Sequence, residues 1–557
     1  AYRFARGEEV ESTNGGPVRL SRPLDFLVIA DHSDNMGFFP DMFAGAEHIL
    51  SDPTGKDWYE RVKSGDGVSV ALELIGLFSQ GEFPEALIYR PDSQPYKDAW
   101  AKTVDAAERF NDPGKFTAFI GYEWTSLVRG NNMHRVVVYK DDGDKGGAMV
   151  PYTTMAPEGS TNPRDLWTWM EGYEETTGGN VLAIAHNGNL ANGIMFPVES
   201  QNDGKAVDIS YVERRARWEP LYEVTQIKGD GETHPLLSPD DEFADYETWD
   251  IGNLDVSEAK TDAMIPGEYA REALKRGLLL EESMGTNPYK FGMIGSTDSH
   301  TSLAAVQEDN FFGKHSGAEP GPERMTHPFM SNENGTIMGW QQVASGLAAV
   351  WARDNTREAL FEAMERKEVY ATTGSRLSVR FFGGWEFTEN DLNNRQPAFA
   401  DYEKGVPMGA DLPPRDGSKA PSFMVYALRD TIGANLDRIQ IVKGWEEVDK
   451  TMEKVFDVVW SGERKPGKDG KLPPVGDTVD AKTASWSNTI GASELGTVWT
   501  DPDFDPDQRA FYYARVLEIP TPRWTTHDAF RFGIDIPEGA PVSTQDRAYT
   551  SPIWYTP

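Results

Sequence analysis

The chain has 557 residues, 39% of them hydrophobic and 11% aromatic, which suits two or three buried cores better than one. Its 54 basic against 89 acidic side chains leave a net charge of −35 with no basic stripe, so the electrostatic footprint of a nucleic-acid binder is missing, and anionic polymers and anionic membrane surfaces are disfavoured as partners. Zero cysteines exclude disulfides, thiol catalysis and thiolate metal sites, and at a mean hydropathy of −0.54 no apolar run reaches the length of a membrane span.

Along the chain, several short runs share one pattern. LDFLVIADH (Leu24 to His32) is a β-branched and aliphatic segment that ends in an acid and a histidine. A helix follows in DAWAKTVDAAERF (Asp98 to Phe110), where Trp100, Val104, Ala107 and, more loosely, Phe110 fall on one side. FTAFIGYEW ends around Glu123, and MHRVVVYK, opened by His134, comes shortly after. NVLAIAHNG places His186 behind an apolar stretch from Val181 to Ala185, and FGMIGSTDSH ends in Asp298 and His300. Continuous apolar runs of this kind fit strands covered on both faces.

The region from Gly313 to Gly339 is rich in glycine and proline and reads as a rim or lid within an insertion at about 305–345. A helix is expected from Asn355 to Met364, with Asn355 as cap and Glu358 three residues on. Strands alternating with helices predict an α/β domain over 1–375. Beyond it, RLSVRFFGGWEF, SFMVYALRD, RIQIVKGW, VFDVVWSG and RAFYYARVLEI are strand-like without a convincing helix between them. They predict an all-β, sandwich-like domain over 376–557.

In α/β barrels, reactive groups gather at the carboxyl ends of the strands, where loops converge above a rigid frame. Asp31, His32, Glu123, His186, Asp298 and His300 all end such runs, and His134 joins them from its own. Four imidazoles with two or three carboxylates make a nitrogen and oxygen ligand set suited to Zn, Mn or Fe, and Glu123 could bridge two ions. Such a centre lowers the pKa of a bound water and neutralises charge on a leaving ester oxygen. Singly, each residue has a plainer reading: a lone histidine is most often structural, and Asp31 or Asp298 can cap a turn. Five coincidences of one kind favour the metal site.

Other chemistries lack their motifs. There is no GxSxG, GxGxxG, HExxH or phosphate-binding Gly-Lys-Ser/Thr sequence. DPDFDPD (Asp501 to Asp507) lacks the glycine at the sixth position, and its twelfth is Tyr512, so an EF-hand is rejected.

Taken together, LDFLVIADH, GYEW, NNMHR, AHNGN, EPLYEVTQIKGDGETHP, GSTDSH, REALFEAMERKEVYATTG, RFFGGW and RAYTSPIWYTP resemble the polymerase-and-histidinol-phosphatase (PHP) superfamily. Within it, they resemble the family catalogued as domain of unknown function 3604, nearly end to end. The resemblance implies a distorted (β/α)7 TIM-like barrel carrying two or three divalent ions at its carboxyl-end face, Zn or Mn or else Fe, usually for phosphoester hydrolysis. It implies His32, Glu123, His134, His186, Asp298 and His300 as metal ligands, with Glu123 bridging and Asp31 orienting the site. The superfamily's first motif, a His-x-His, would lie upstream of AYRFARGEE, and it is expected in a natural chain that continues there.

Lys228 and His234, in the stretch from Tyr222 to His234, are candidate contacts for an anionic group or a general acid, and surface polarity explains them about equally well. The expected function is metal-dependent hydrolysis of a small anionic ester, most often a phosphoester, with sulfate esters as the near alternative. The reading from another class is a degenerate barrel that binds carbohydrate or another ligand. A first residue other than methionine, together with the family's habit of export, gives a periplasmic or secreted location as the expectation.

Overall fold

The computed structural model describes residues 1–393, 402–414, 419–448 and 450–557. The longer elements are numbered here in chain order. In the first part, β1 (Phe26–Val28) pairs in parallel with β3 (Thr117–Phe119). Directly after them, β2 (Asp31–His32) pairs in parallel with β4 (Gly121–Trp124), setting His32 opposite Glu123. Next comes β5 (Arg135–Tyr139), antiparallel to β4 and to β6 (Val181–Ala185). Then β7 (Leu221–Gln226) and β8 (Gly292–Gly295) extend the sheet in parallel. All five residues of β6 are buried, as its unbroken apolar run requires.

No closed barrel forms among the described residues. β1 pairs with β3 alone, and β9 (Leu347–Val350) pairs with β10 (Val369–Thr372) alone. Residues of β1 and β9, among them Phe26, Val28, Leu347 and Val350, instead line a shared cavity of about 760 Å³. Strand β5 runs antiparallel to β4, the return that the short connection between them allows.

Helix α1 (Gln94–Phe110) covers this sheet with Tyr96, Trp100, Val104 and Ala107, the three-and-four spacing visible in the sequence. Trp100 packs against Tyr122 and Tyr139, with ring centroids 6.2 and 5.8 Å away, and donates to the Gly146 carbonyl at 3.2 Å. Helices α2 (Pro163–Thr177) and α3 (Ile209–Trp218) start on the caps Asn162 and Asp208, and α4 (Ala270–Met284) buries eight of its residues. Helix α5 (Arg357–Glu365) is capped by Thr356, whose hydroxyl accepts from Ala359 N at 3.2 Å, and not by Asn355. Asn355 instead bonds to Thr117 and the Asp25 carbonyl, tying the helix to β3 and to the residue before β1. The segment 305–345 holds a hairpin of Pro328–Asn332 and Gly335–Met338 amid irregular turns.

The C-terminal part is rich in β-structure. One sheet runs β9, β10, β17 (Arg547–Thr550), β16 (Ala510–Glu518), β13 (Leu436–Glu447) and β14 (Lys450–Trp460), so it takes strands from both sides of residue 375. A second contains β11 (Ser378–Gly384), β12 (Ser422–Leu428) and β15 (Glu494–Thr500). Val379, Phe381, Phe423 and Val425 from the second share a core with Ile439, Ile441, Tyr512 and Ala514 from the first. This region is not all-β as expected, because α6 (Trp524–Phe532) interrupts it. Its Thr525 and Thr526 hydroxyls turn inward and donate to the carbonyls of Pro541 and Val542, a use of polar residues that hides the helix in the sequence.

A buried charge network bolts the two parts together. Arg271 on α4 bonds to Glu232, to Asp241 at 2.8 Å, to Glu453 at 3.0 Å and to Tyr513 Oη at 2.8 Å, and Arg515 on β16 completes the Asp241 contact at 2.6 Å.

Candidate metal centre

Glu123 stands near the end of β4 and is the focus of three imidazoles. His134 Nδ1 lies 3.2 Å and His186 Nε2 2.8 Å from Glu123 Oε1, while His32 Nδ1 pairs with Oε2. One ligand atom each from Glu123, His134 and His186 lies within 4.8 Å of the others, and all three residues are buried. Among the described residues this is the one cluster of three or more such side chains that could hold a metal ion.

The local folding explains the convergence. Glu123 and His186 sit at strand ends, and the hairpin turn between β4 and β5 brings His134 back beside them, with Asn132 fixing its backbone N–H at 2.8 Å. Asn187, just after His186, takes the left-handed conformation at φ +50°, which asparagine tolerates.

The residues fit a cation. His134 Nε2 and His186 Nδ1 are both buried without a hydrogen-bond partner, and so is Glu223 Oε1 nearby. Buried polar atoms of this kind are rarely left unpaired without a ligand or functional reason. Burial pulls the pKa of His134 down to about 4, despite the carboxylate beside it, so it is neutral and free to ligate at neutral pH. Burial alone would raise Glu123, but His134 and His32 hold its carboxyl well below the usual range. His186 and His32 are also pulled down by burial, and the Glu123 charge overrides this and leaves both raised.

The remaining candidates separate. His32 opens toward the cavity, 42% of its side chain exposed, and its Nδ1 also lies 2.9 Å from Thr125 Oγ1. His300 lies beside it, with ring centroids 5.4 Å apart. Asp298 and His300 do not join the Glu123 trio. Asp298 is bound by Lys228, by Lys314 at 2.7 Å and by Gln226 at 2.7 Å, and His300 Nδ1 lies 3.0 Å from Lys314 Nζ. Asp31, next to His32 on a strand, faces the other way, and its carboxylate accepts from Thr103 of α1 at 3.3 Å. His234 bonds to Asp250 at 3.4 Å and accepts from Leu236 N at 3.1 Å, which makes it a loop residue with no bond to the trio. The loop Asp501–Asp507 holds no cation pocket, since Lys443 fills it with a 2.6 Å ion pair to Asp501.

Lys314 and Glu223 contribute more than the sequence suggested. Ser296 donates to Glu223, whose pKa burial raises. Lys314 sits in the Gly/Pro-rich segment marked as a rim, where no local pattern singled it out.

A family model described as "Protein of unknown function (DUF3604)" matches residues 1–557. The chain belongs to this family. No curated protein and no solved structure matches it. Membership of DUF3604 carries no activity with it, so the chemistry has to be argued from the trio and its surroundings.

Proposed function

We propose that this DUF3604 protein is a metal-dependent hydrolase of small anionic esters, phosphoesters foremost, built on an open form of the PHP-type (β/α)7 barrel. The observation that carries the reading is the buried Glu123, His134 and His186 group, with one ligand atom from each within 4.8 Å of the others. A divalent ion such as Zn or Mn held there would supply a Lewis acid and an activated water.

The chain's own residues supply the rest. Glu123 provides the negative charge and, through both oxygens, orients the three imidazoles. His32 borders the cavity with its Nδ1 anchored on Glu123 and Thr125, which places its imidazole to give a proton to a leaving oxygen. Lys228, held charged by Asp298 despite its burial, puts an ammonium group beside the trio in a chain of charge −35, and burial pulls the pKa of Lys314 next to it down to about 7.

The test is a screen of Zn- and Mn-loaded full-length protein against 4-nitrophenyl phosphate, bis(4-nitrophenyl) phosphate and 4-nitrophenyl sulfate. Turnover of a phosphoester that disappears in Glu123→Gln supports the reading. Turnover of the sulfate alone moves the substrate class to sulfate esters. Metal-loaded protein that hydrolyses none of the three contradicts it.

A further inference from the structure

Asp298 is saturated with donors from within the chain. Lys314 Nζ donates to Asp298 Oδ1 and to the Asp298 backbone carbonyl, each at 2.7 Å, and lies 3.0 Å from His300 Nδ1. Lys228 Nζ holds the second carboxylate oxygen, which also accepts from Gln226 Nε2 at 2.7 Å. A carboxylate offers about four acceptor positions, and these three donors take most of them.

The backbone is arranged for this. Asp298 has a left-handed φ of +51°, and its carbonyl and carboxylate converge on the same ammonium. Two oxygens and an imidazole nitrogen around one charge make a donor set that divalent ions also take. Here the cation they surround is the Lys314 side chain. Both lysines are deeply buried, at 4% and 5% exposure, where an ammonium is costly unless an opposite charge or a function matches it.

The geometry points to a mononuclear centre in which the Glu123, His134 and His186 trio takes one ion, while the Lys314 and Lys228 amino groups occupy the position on Asp298 and His300 that a second ion would fill. This rests on the reading of the trio as a metal centre, and it replaces the two or three ions expected from the family resemblance with one ion and two lysine side chains.

The experiment counts ions, so it does not depend on activity. Full-length protein is stripped with chelator, incubated with excess Zn²⁺, desalted and measured by mass spectrometry of the metal against protein concentration. One ion per chain is expected for the wild type and for Lys314→Arg, which keeps the charge. Two are expected for the Lys228→Met/Lys314→Met double variant, and one again when Asp298→Asn is added to it.

Two or more ions in the wild type would overturn the lysine assignment and leave the metal centre standing. A single ion in the double variant would overturn it as well, because the ammoniums would then hold no cation position. An empty wild type would remove the metal centre itself and this inference with it. Where circular dichroism shows the double variant unfolded, Lys314→Gln alone is counted: it empties the place between Asp298 Oδ1, the Asp298 carbonyl and His300 Nδ1, so two ions are expected and a single ion would overturn the assignment.

Discussion

Replacing Glu123 by glutamine keeps the shape of the side chain and removes the one formal negative charge of the trio. Two unit charges 4 Å apart at an effective dielectric of 20 attract by roughly 4 kcal/mol. A divalent ion doubles that figure, and desolvation together with the amide oxygen returns part of it. The net loss is about 4 kcal/mol, or roughly a thousandfold in Kd. Competition against a chromophoric chelator at pH 7.5 measures it directly. A Glu123→Gln protein that binds Zn²⁺ within threefold of wild type would refute the placement of Glu123 in the centre.

The same substitution has a second readout in metal-free protein. His32 and His186 owe their raised pKa to the Glu123 charge, which overcomes the effect of burial. A histidine raised in the folded state contributes stability that is present below its unfolded pKa and lost as pH rises through the folded value. In Glu123→Gln both pKa values should fall, which histidine-selective NMR titration would follow, and that contribution should vanish.

Three further outcomes separate the site from its surroundings. His234→Gln and Asp31→Asn should leave metal affinity within a factor of about 2 of wild type, because their partners are Asp250 and Thr103; a loss like that of Glu123→Gln in either would reopen its role. Burial raises Asp230 from 3.8 to about 7, so its folded carboxyl opposes ionisation and costs stability as pH rises between those values. Asp230→Asn should therefore gain stability on the order of 4 kcal/mol at pH 8 relative to pH 4, read from chemical denaturation at both pH values, and a pH-independent difference would count against it. Trp100→Ala should destabilise by about 3–5 kcal/mol, since it empties a fully packed position between Tyr122 and Tyr139.

The strands that frame the centre were legible because each is a short apolar run broken by a polar ligand. Val181 to Ala185 followed by His186 shows the pattern most fully, Glu123 falls near the end of its own run, and His134 opens a run instead of ending one. Asp31 was misplaced by the same grammar. Adjacent strand residues point to opposite faces, so Asp31 and His32 could not both turn inward, and the structure turns His32 to Glu123 and Asp31 to Thr103.

The partners of Asp298 were hidden for a different reason. Lys314 comes from an irregular segment in which no period exists, so its arrival beside Asp298 is a property of the fold and not of any local pattern. Thr356 displaced Asn355 as cap because Asn355 is committed to Thr117 and Asp25, a long-range contact that no window of sequence contains. Closure of the barrel also lay beyond the sequence signal, since strand runs predict faces and not which edges meet.

The claim at the centre of the account is that Glu123, His134 and His186 hold a metal ion. Crystals of the full-length protein soaked in Zn²⁺ and measured on both sides of the zinc edge test it directly. An anomalous peak is expected about 2.0–2.2 Å from a nitrogen of His134, a nitrogen of His186 and an oxygen of Glu123. A zinc-saturated crystal with its peaks elsewhere and none among these three side chains would contradict it.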